Sequence, residues 1–554
     1  MRTRKPALYG IIPALLLTGV LLAMTACGQE PTTSTTAAGG EIQKGGTLVY
    51  QIGNPSFIEP TQAFESEGIE IVQAVFDSLV QFDYLTNELA PDVAASWEAN
   101  EDASVWTFHL SGESTFHNGR KVTAADFKYA WERICDPVNK SNISYHLSAV
   151  KGFDEMGEGA ATELSGVKAI DDETLEVTLS YGYGDFEYVV GHPCLCPIPK
   201  EEVEKDAAAF ALKPIGNGPF MVSEPWAASR YVRVVKYPDY KGTQPNIDGV
   251  EFKIFEDVET AYLGFQAGSI DSTQIPPGNV NAAKTAYGVS PDGYTSNPGA
   301  QVQLGPELAI YYMLLNNEAE PFDDPDVRRA VSLAINRQAI CDIVHEGVRK
   351  PADSFIPPGV AGYVPEAWAY SKYDVEAAKE HLAKAGYPDG AGFPIIKLSF
   401  NSGPGHEDIM TLVQADLKAI GVTAEFDVSD APTYWDKVQN GNYQIGRSGW
   451  GADYPIIDSF VYSNLASTSA DNFANYNNPA LDEVITAARQ IKATDERIKK
   501  YEEAVAMAGE DCPVVPITFY AHSRVGSARL HDFVHGGLGM SDFVSCWLEG
   551  AAAQ

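Results

Sequence analysis

The chain has 554 residues, with 75 Asp and Glu against 39 Lys and Arg, for a formal net charge of −36 at pH 7. So negative a surface repels nucleic acid and anionic lipid headgroups, which excludes a nucleic-acid partner or a polybasic membrane role. Hydrophobic residues make up 45% of the chain, enough for packed cores, and roughly 510 residues at the usual ~100 to 200 per domain fit two to four domains.

At the N-terminus Arg2, Arg4 and Lys5 precede an apolar run from Ile11 to Met24, and then come Thr25, Ala26 and Cys27. A basic start, a short apolar stretch and small residues before a cysteine form the pattern of an exported lipoprotein. Cleavage after residue 26 would leave Cys27 as the lipidated first residue, holding the protein on the extracytoplasmic face of the cell membrane. Residues 27–44 are rich in Thr, Ser, Gly and Ala and read as a flexible tether.

From Gly45 a strand (TLVYQIG) leads through a turn-rich segment into a helix with Ile69, Val72 and Phe76 on its periodic face. Trp106 to Leu110 is the next strand. Thr123 and Asp126 have the spacing of a helix capping box, and Phe127, Ala130, Trp131 and Ile134 fall on the face that follows. Leu175 to Leu179, Tyr231 to Tyr237 and Val250 to Phe255 read as strands. Asp324 and Pro325 open a further helix, and another runs from Asp374 to a stop at Gly386. Strand IIKLSF, a helix over 407–420, strand VTAEFDV, a helix over 433–439 and strand YQIGRSG then form a β-α-β-α-β run, the signature of an α/β domain with a largely parallel sheet.

That run ends in YQIGRSGWGADYPIIDSF, from Tyr443 to Phe460. Gly446, Ser448, Gly449 and Gly451 let another backbone come close, while Trp450, Arg447 and Asp453 offer a flat surface and two opposite charges. This suits a seat for a zwitterion, and the end of a parallel strand is where such sheets place ligands. The competing reading is a strand edge with an ordinary surface ion pair.

Motifs for catalysis are absent: there is no phosphate loop, HExxH, GxSxG or calcium loop. The cluster His192-Pro193-Cys194-Leu195-Cys196 could hold a soft metal but lacks a fourth ligand nearby, so neither metal nor cofactor is expected. Besides Cys27 there are Cys135, Cys194, Cys196, Cys341, Cys512 and Cys546, and six cysteines allow about fifteen full pairings. Cys135 with Cys194 or Cys196 is the expected bridge.

Several segments together resemble the extracellular solute-binding proteins of family 5, the peptide-binding lipoproteins of bacterial ABC importers. They are LAPDVAASWEANEDASVWTFHL at 89–110, FHNGRKVTAADFKYAWERI at 116–134, GVKAIDDETLEVTL at 166–179 and GNGPF at 216–220. LLNNEAEPFDDPDVRRAVSLAINRQAI at 314–340, AAKEHLAKAGY at 377–387 and PVVPITFY at 513–520 complete the series. The resemblance implies an α/β bilobal fold of the type II periplasmic-binding kind, with an extra domain and lobes joined by hinge strands. Domain I is expected over 45–78, 197–300 and 516–554, domain II over 79–196 and domain III over 301–515. It also implies a monomeric binding protein, not an enzyme, that captures short peptides and delivers them to a membrane permease. Other members bind metal chelates, haem, sugars or signalling peptides, and an extracellular hydrolase is the reading from a different class.

In the oligopeptide-binding branch an aspartate at the position of Asp453 meets the ligand's α-ammonium, beside Trp450. An arginine matching Arg447 and a histidine matching His406 meet ligand carboxylates. Gly449, Gly451, Phe64, Glu65 and Ser66 are then expected along the peptide backbone. Three departures stand out. The branch's cystine is missing, since Gly451 holds one of its positions and no cysteine lies near Ala309. An acidic residue of the first-lobe loop is replaced by Phe64, with Glu65 next to it, and a further arginine is Val438 here.

Overall fold

The computed structural model describes residues 42–550 apart from 227, 229 and 404; the expected export signal, Cys27 and most of the expected tether over 27–44 lie outside the described residues. Three larger sheets carry the architecture. The first has seven strands, in the order Val302–Gln303, Arg524–Gly526, Ser272–Gln274, Thr47–Ile52, Gly249–Ile254, Tyr231–Lys236, Phe220–Val222. The second is a four-stranded antiparallel sheet of Ala94–Ala99, Val105–Leu110, Thr174–Thr178 and Val167–Asp171. The third has six strands, in the order Lys350–Pro351, Val514–Ala521, Pro306–Leu315, Ile445–Gly451, Ile396–Asn401, Ala424–Ser429.

Local signals in the sequence place several helices. The capping box is present, with the Thr123 amide donating to Asp126 Oδ2 at 2.8 Å, and Phe127, Ala130, Trp131 and Ile134 are buried. Asp324 caps Pro325–Ala334 by accepting from the Asp326 amide. Gly386 and Gly421, both at positive φ, follow the helices Val375–Lys384 and His406–Ala419. Such backbone angles suit glycine and end a helix.

The β-α-β-α-β run forms a parallel trio, but the sheet it belongs to is mixed. Ile396–Asn401 pairs in parallel with Ala424–Ser429 and, for two residue pairs only, with Ile445 and Gly446. On its other side Ile445–Gly451 runs antiparallel to Pro306–Leu315 along its whole length, from Leu315 opposite Ile445 to Ala309 opposite Gly451. Ser448 to Gly451 therefore have a sheet neighbour on one side only. Both faces of the strand Pro306–Leu315 are buried. Leu308, Ile310, Tyr312 and Leu314 pack into one core, and Tyr311, Met313 and Leu315 into another.

The seven- and six-stranded sheets are joined by two crossings that lie side by side. The chain leaves Val302–Gln303 for Pro306–Leu315, and returns from Val514–Ala521 to Arg524–Gly526. Between them the His522 amide donates to the Gly305 carbonyl, and the Gly305 amide donates to His522 Nε2, both at 3.1 Å. Paired extended segments with little else between the sheets are the geometry of a hinge. The strand Val514–Ala521 belongs to the six-stranded sheet, so the expected boundary between 515 and 516 falls inside it.

A second tie runs from the four-stranded unit to the helices beside the six-stranded sheet. Arg497 Nε lies 2.5 Å from Asp185 Oδ1, with both side chains almost fully buried. Asp458 accepts from Tyr183 and Tyr501, each at 2.5 Å, and lies 3.4 Å from Arg489 Nε. The Arg489 guanidinium sits 4.1 Å from the Tyr183 ring and 3.9 Å from that of Tyr462. Gly184 is needed for this approach: a Cβ there would fall 2.3 Å from the Ile491 carbonyl oxygen. Arg497→Met would leave Asp185 buried without its partner, a loss that typically costs ~3 to 5 kcal/mol. A clearly lower urea midpoint is expected, partly restored by adding Asp185→Asn; an unchanged midpoint would refute this role.

Candidate functional site

The crossings are flanked by charged residues that face a cavity of about 370 Å³. Glu307 follows the first crossing and Arg524 the second, and both line the cavity together with Gln51 and Gln274 of the seven-stranded sheet. The helix Ser66–Val75 and the residues just before it contribute Phe64, Ser66 and Glu67, the end of the strand Ile445–Gly451 and the residues just past it Gly451 and Asp453, and the loop near the C-terminus Gly537 to Met540. At the floor the Arg524 guanidinium lies 4.4 Å from the Tyr50 ring, with its Nε buried and unpartnered. Glu70 accepts from Tyr50 at 2.7 Å and from Ser541 at 2.6 Å.

Asp453 lies just beyond the open-edged strand. It is half-buried, and its one hydrogen bond among the described residues comes from Tyr145 Oη, at 3.4 Å. No described cation is paired with it. Burial, reinforced by the negative charge of Asp471, pushes its carboxyl up to about 7, against which the Tyr145 hydrogen bond acts only in part. A carboxyl held in this way gains most from an incoming cation.

The structure brings Phe64, Ser66, Gly451 and Asp453 to the cavity and sets the other expected residues elsewhere. Gly449 makes room for Tyr520, since a Cβ there would come within 2.8 Å of its Oη. Trp450 packs on the core around Ile310 and Tyr312, with its Nε1 buried and unpartnered. Glu65 turns away from the cavity because its Oε1 accepts from the Ser56 amide at 2.7 Å; Glu67 lines the cavity instead. Val438 is buried in the core. Ala309 and Gly451 are cross-strand partners, so the positions where the branch would carry a cystine adjoin each other here without sulfur.

Arg447 and His406 belong to a separate group. Both Nε and Nη2 of Arg447 donate to Asn401 Oδ1, and its guanidinium lies 5.3 Å from the Trp435 ring. His406 opens the helix His406–Ala419 and stacks on Tyr311, with ring centroids 5.9 Å apart. Burial, then the charges of Arg447 and Arg349, push its ring down to about 4. Arg349, Arg524 and Glu307 were not singled out from the sequence. None of the three lies in a recognisable motif, and only the folded arrangement of distant strands brings them near the cleft.

Two adjacent sheets linked by paired crossings, with an uncompensated carboxylate on the cavity between them, define a bilobal solute-binding protein. The family model for bacterial extracellular solute-binding proteins, family 5 Middle, matches residues 88–472, and the chain belongs to that family. It is 32% identical over 533 residues to the periplasmic oligopeptide-binding protein OppA of Escherichia coli K12, covering 92% of this chain and 94% of that protein. The unliganded open form of the periplasmic murein tripeptide binding protein MppA superposes with a TM-score of 0.76 at 27% identity, over 91% of this chain and 97% of that one. A crystal structure of Haemophilus influenzae OppA in complex with RPPGFSPFR gives a TM-score of 0.71 at 25% identity, over 92% of this chain and 100% of that one.

The expected bridge from Cys135 to Cys194 or Cys196 is not formed. All six described cysteines are free and buried, and burial pushes the Cys135 thiol up to about 12. His192 Nδ1 accepts from the Cys194 amide at 3.2 Å, and no group of three or more metal-ligating residues occurs among the described residues. Thiols this buried react slowly. Alkylation in denaturant without reductant, followed by peptide mapping, should label Cys135, Cys194 and Cys196; finding them blocked would restore the bridge.

Proposed function

We propose that this protein is the extracytoplasmic binding component of an ABC importer, capturing short peptides between its lobes and handing them to a membrane permease. The observation that carries this reading is Asp453, a carboxylate without a cationic partner among the described residues, placed beside the open edge of Ser448 to Gly451. A peptide can pair with that edge as an added strand while its α-ammonium meets Asp453. Gly451, Phe64 and Ser66 leave room for its backbone, Gly449 and Trp450 shape the strand that receives it, and Glu65 braces the loop before Ser66. Arg447 and the uncharged ring of His406 lie at the end toward which the ligand carboxylate would point, His406 as a hydrogen-bonding group. The relatives named for oligopeptides and murein tripeptide support the substrate class. Residues 1–26 would export the chain, and lipid on Cys27 would hold it, as a monomer, outside the membrane; among the described residues no helix is long and apolar enough to cross one. The protein binds and releases its ligand without cutting it.

Asp453→Ala removes the partner of a largely desolvated ion pair, worth ~3 to 5 kcal/mol, so affinity for free-amine peptides should fall roughly 10²- to 10³-fold. Unchanged affinity in calorimetry would sink the reading. The pH dependence has a defined sign. Because the free carboxyl titrates at about 7 and the ammonium favours its ionised form, binding below that pH must release a proton. Affinity should weaken by up to about tenfold per pH unit on acidification, and weaken again above about pH 8 as the peptide amine loses its charge. A flat profile between about pH 5.5 and 7.5 would contradict the role given to Asp453.

A further inference from the structure

A peptide with its amino end at Asp453 carries its carboxylate along the cleft by ~3.3 Å per residue. Which cation meets it depends on which guanidinium is free. Arg447 is not, because two of its nitrogens are held by Asn401 and its face lies against Tyr434 and Trp435.

Arg349 is differently placed. It precedes the short strand Lys350–Pro351, whose pairing with Val514–Ala521 sets Lys350 opposite Phe519. Arg349 thus comes over Tyr520, its guanidinium carbon 3.9 Å from the ring centroid. It is half-buried, and among the described residues its guanidinium makes no hydrogen bond or ion pair. Its charge is felt on both sides. It helps hold down the rings of His406 and His345, after burial, and it favours the ionised form of Glu307, which lines the cavity. Nε2 of His345 is buried with no partner. Tyr520 beneath it reaches Gly449 on one side and Tyr311, the ring that stacks with His406, on the other, with centroids 6.4 Å apart, so Arg349 stands between the strand Ile445–Gly451 and the His406 end. A guanidinium stacked flat on a tyrosine keeps its in-plane N–H fork free for a carboxylate.

We propose that Arg349, and not Arg447, is the residue that grasps the ligand's carboxylate, so that its position selects peptide length. The inference rests on the peptide reading. The test uses trialanine, tetraalanine, pentaalanine and hexaalanine, each as the free acid and as the C-terminal amide, titrated calorimetrically into the full protein. For the length that reaches Arg349, amidation should weaken binding to the unmodified protein about tenfold or more. Arg349→Met should lose that factor for the acid and nothing for the amide, and Arg349→Lys should retain part of it. Arg447→Met should affect acid and amide alike. An unchanged melting temperature for Arg349→Met would separate the loss from misfolding. Equal losses for acid and amide in Arg349→Met, or acid-specific loss at Arg447, would overturn the assignment. Failure of every peptide to bind the unmodified protein would instead overturn the peptide reading, and this assignment with it.

Discussion

The buried pairing of Asp185 with Arg497, and the adjoining triad of Asp458, Tyr183 and Tyr501, hold the four-stranded unit against the helices of the six-stranded sheet. Much of the cleft depends on this tie. Tyr145, from the four-stranded unit, reaches Asp453 of the other lobe because the two are held together. Charges buried this far from water are tolerated only when each has its partner, which makes the contact sensitive to geometry. The hinge supplies the complementary constraint. Two crossings joined by hydrogen bonds between Gly305 and His522 permit rotation about one line while preserving register.

Between these ties the cleft is electrostatically divided. Among the described residues Asp453, near the open strand edge, has no cation to meet, whereas Arg349 and Arg447 lie toward the other end, by the uncharged ring of His406, in a protein whose net charge is strongly negative. A zwitterionic chain laid along Ser448 to Gly451 matches that division. In the proposed mode the backbone edge would supply affinity that does not depend on side-chain identity, and the two charged ends would supply direction. Gln51 and Gln274 are among the polar walls, where bridging water would accommodate different side chains.

Local features were legible in the linear chain. Thr123 with Asp126, Asp324 with Pro325, and Gly386 and Gly421 mark helix ends because capping and positive φ are decided within a few residues. The parallel trio was legible too, from alternating strand and helix periods. The antiparallel partner of Ile445–Gly451 was not, because Pro306–Leu315 is distant in sequence and apolar on both faces, and nothing in its composition names a neighbour. The cysteine expectation failed for a related reason. Spacing says which thiols exist, while burial of Cys135, Cys194 and Cys196 as separate core residues depends on packing.

Asp453 shows how far residue order reaches. Its place after glycines at the end of a strand marks it as a candidate, because strand periodicity and small residues are written in consecutive positions. Whether a charge is available to a ligand is settled by the folded chain. Asn401 engages Arg447, the Ser56 amide engages Glu65, and Tyr520 supports Arg349 while leaving its N–H groups free. A charged side chain is engaged by whatever donor or acceptor packing brings within about 3 Å. Those partners come from distant strands and loops, so only the three-dimensional arrangement tells an occupied charge from an open one.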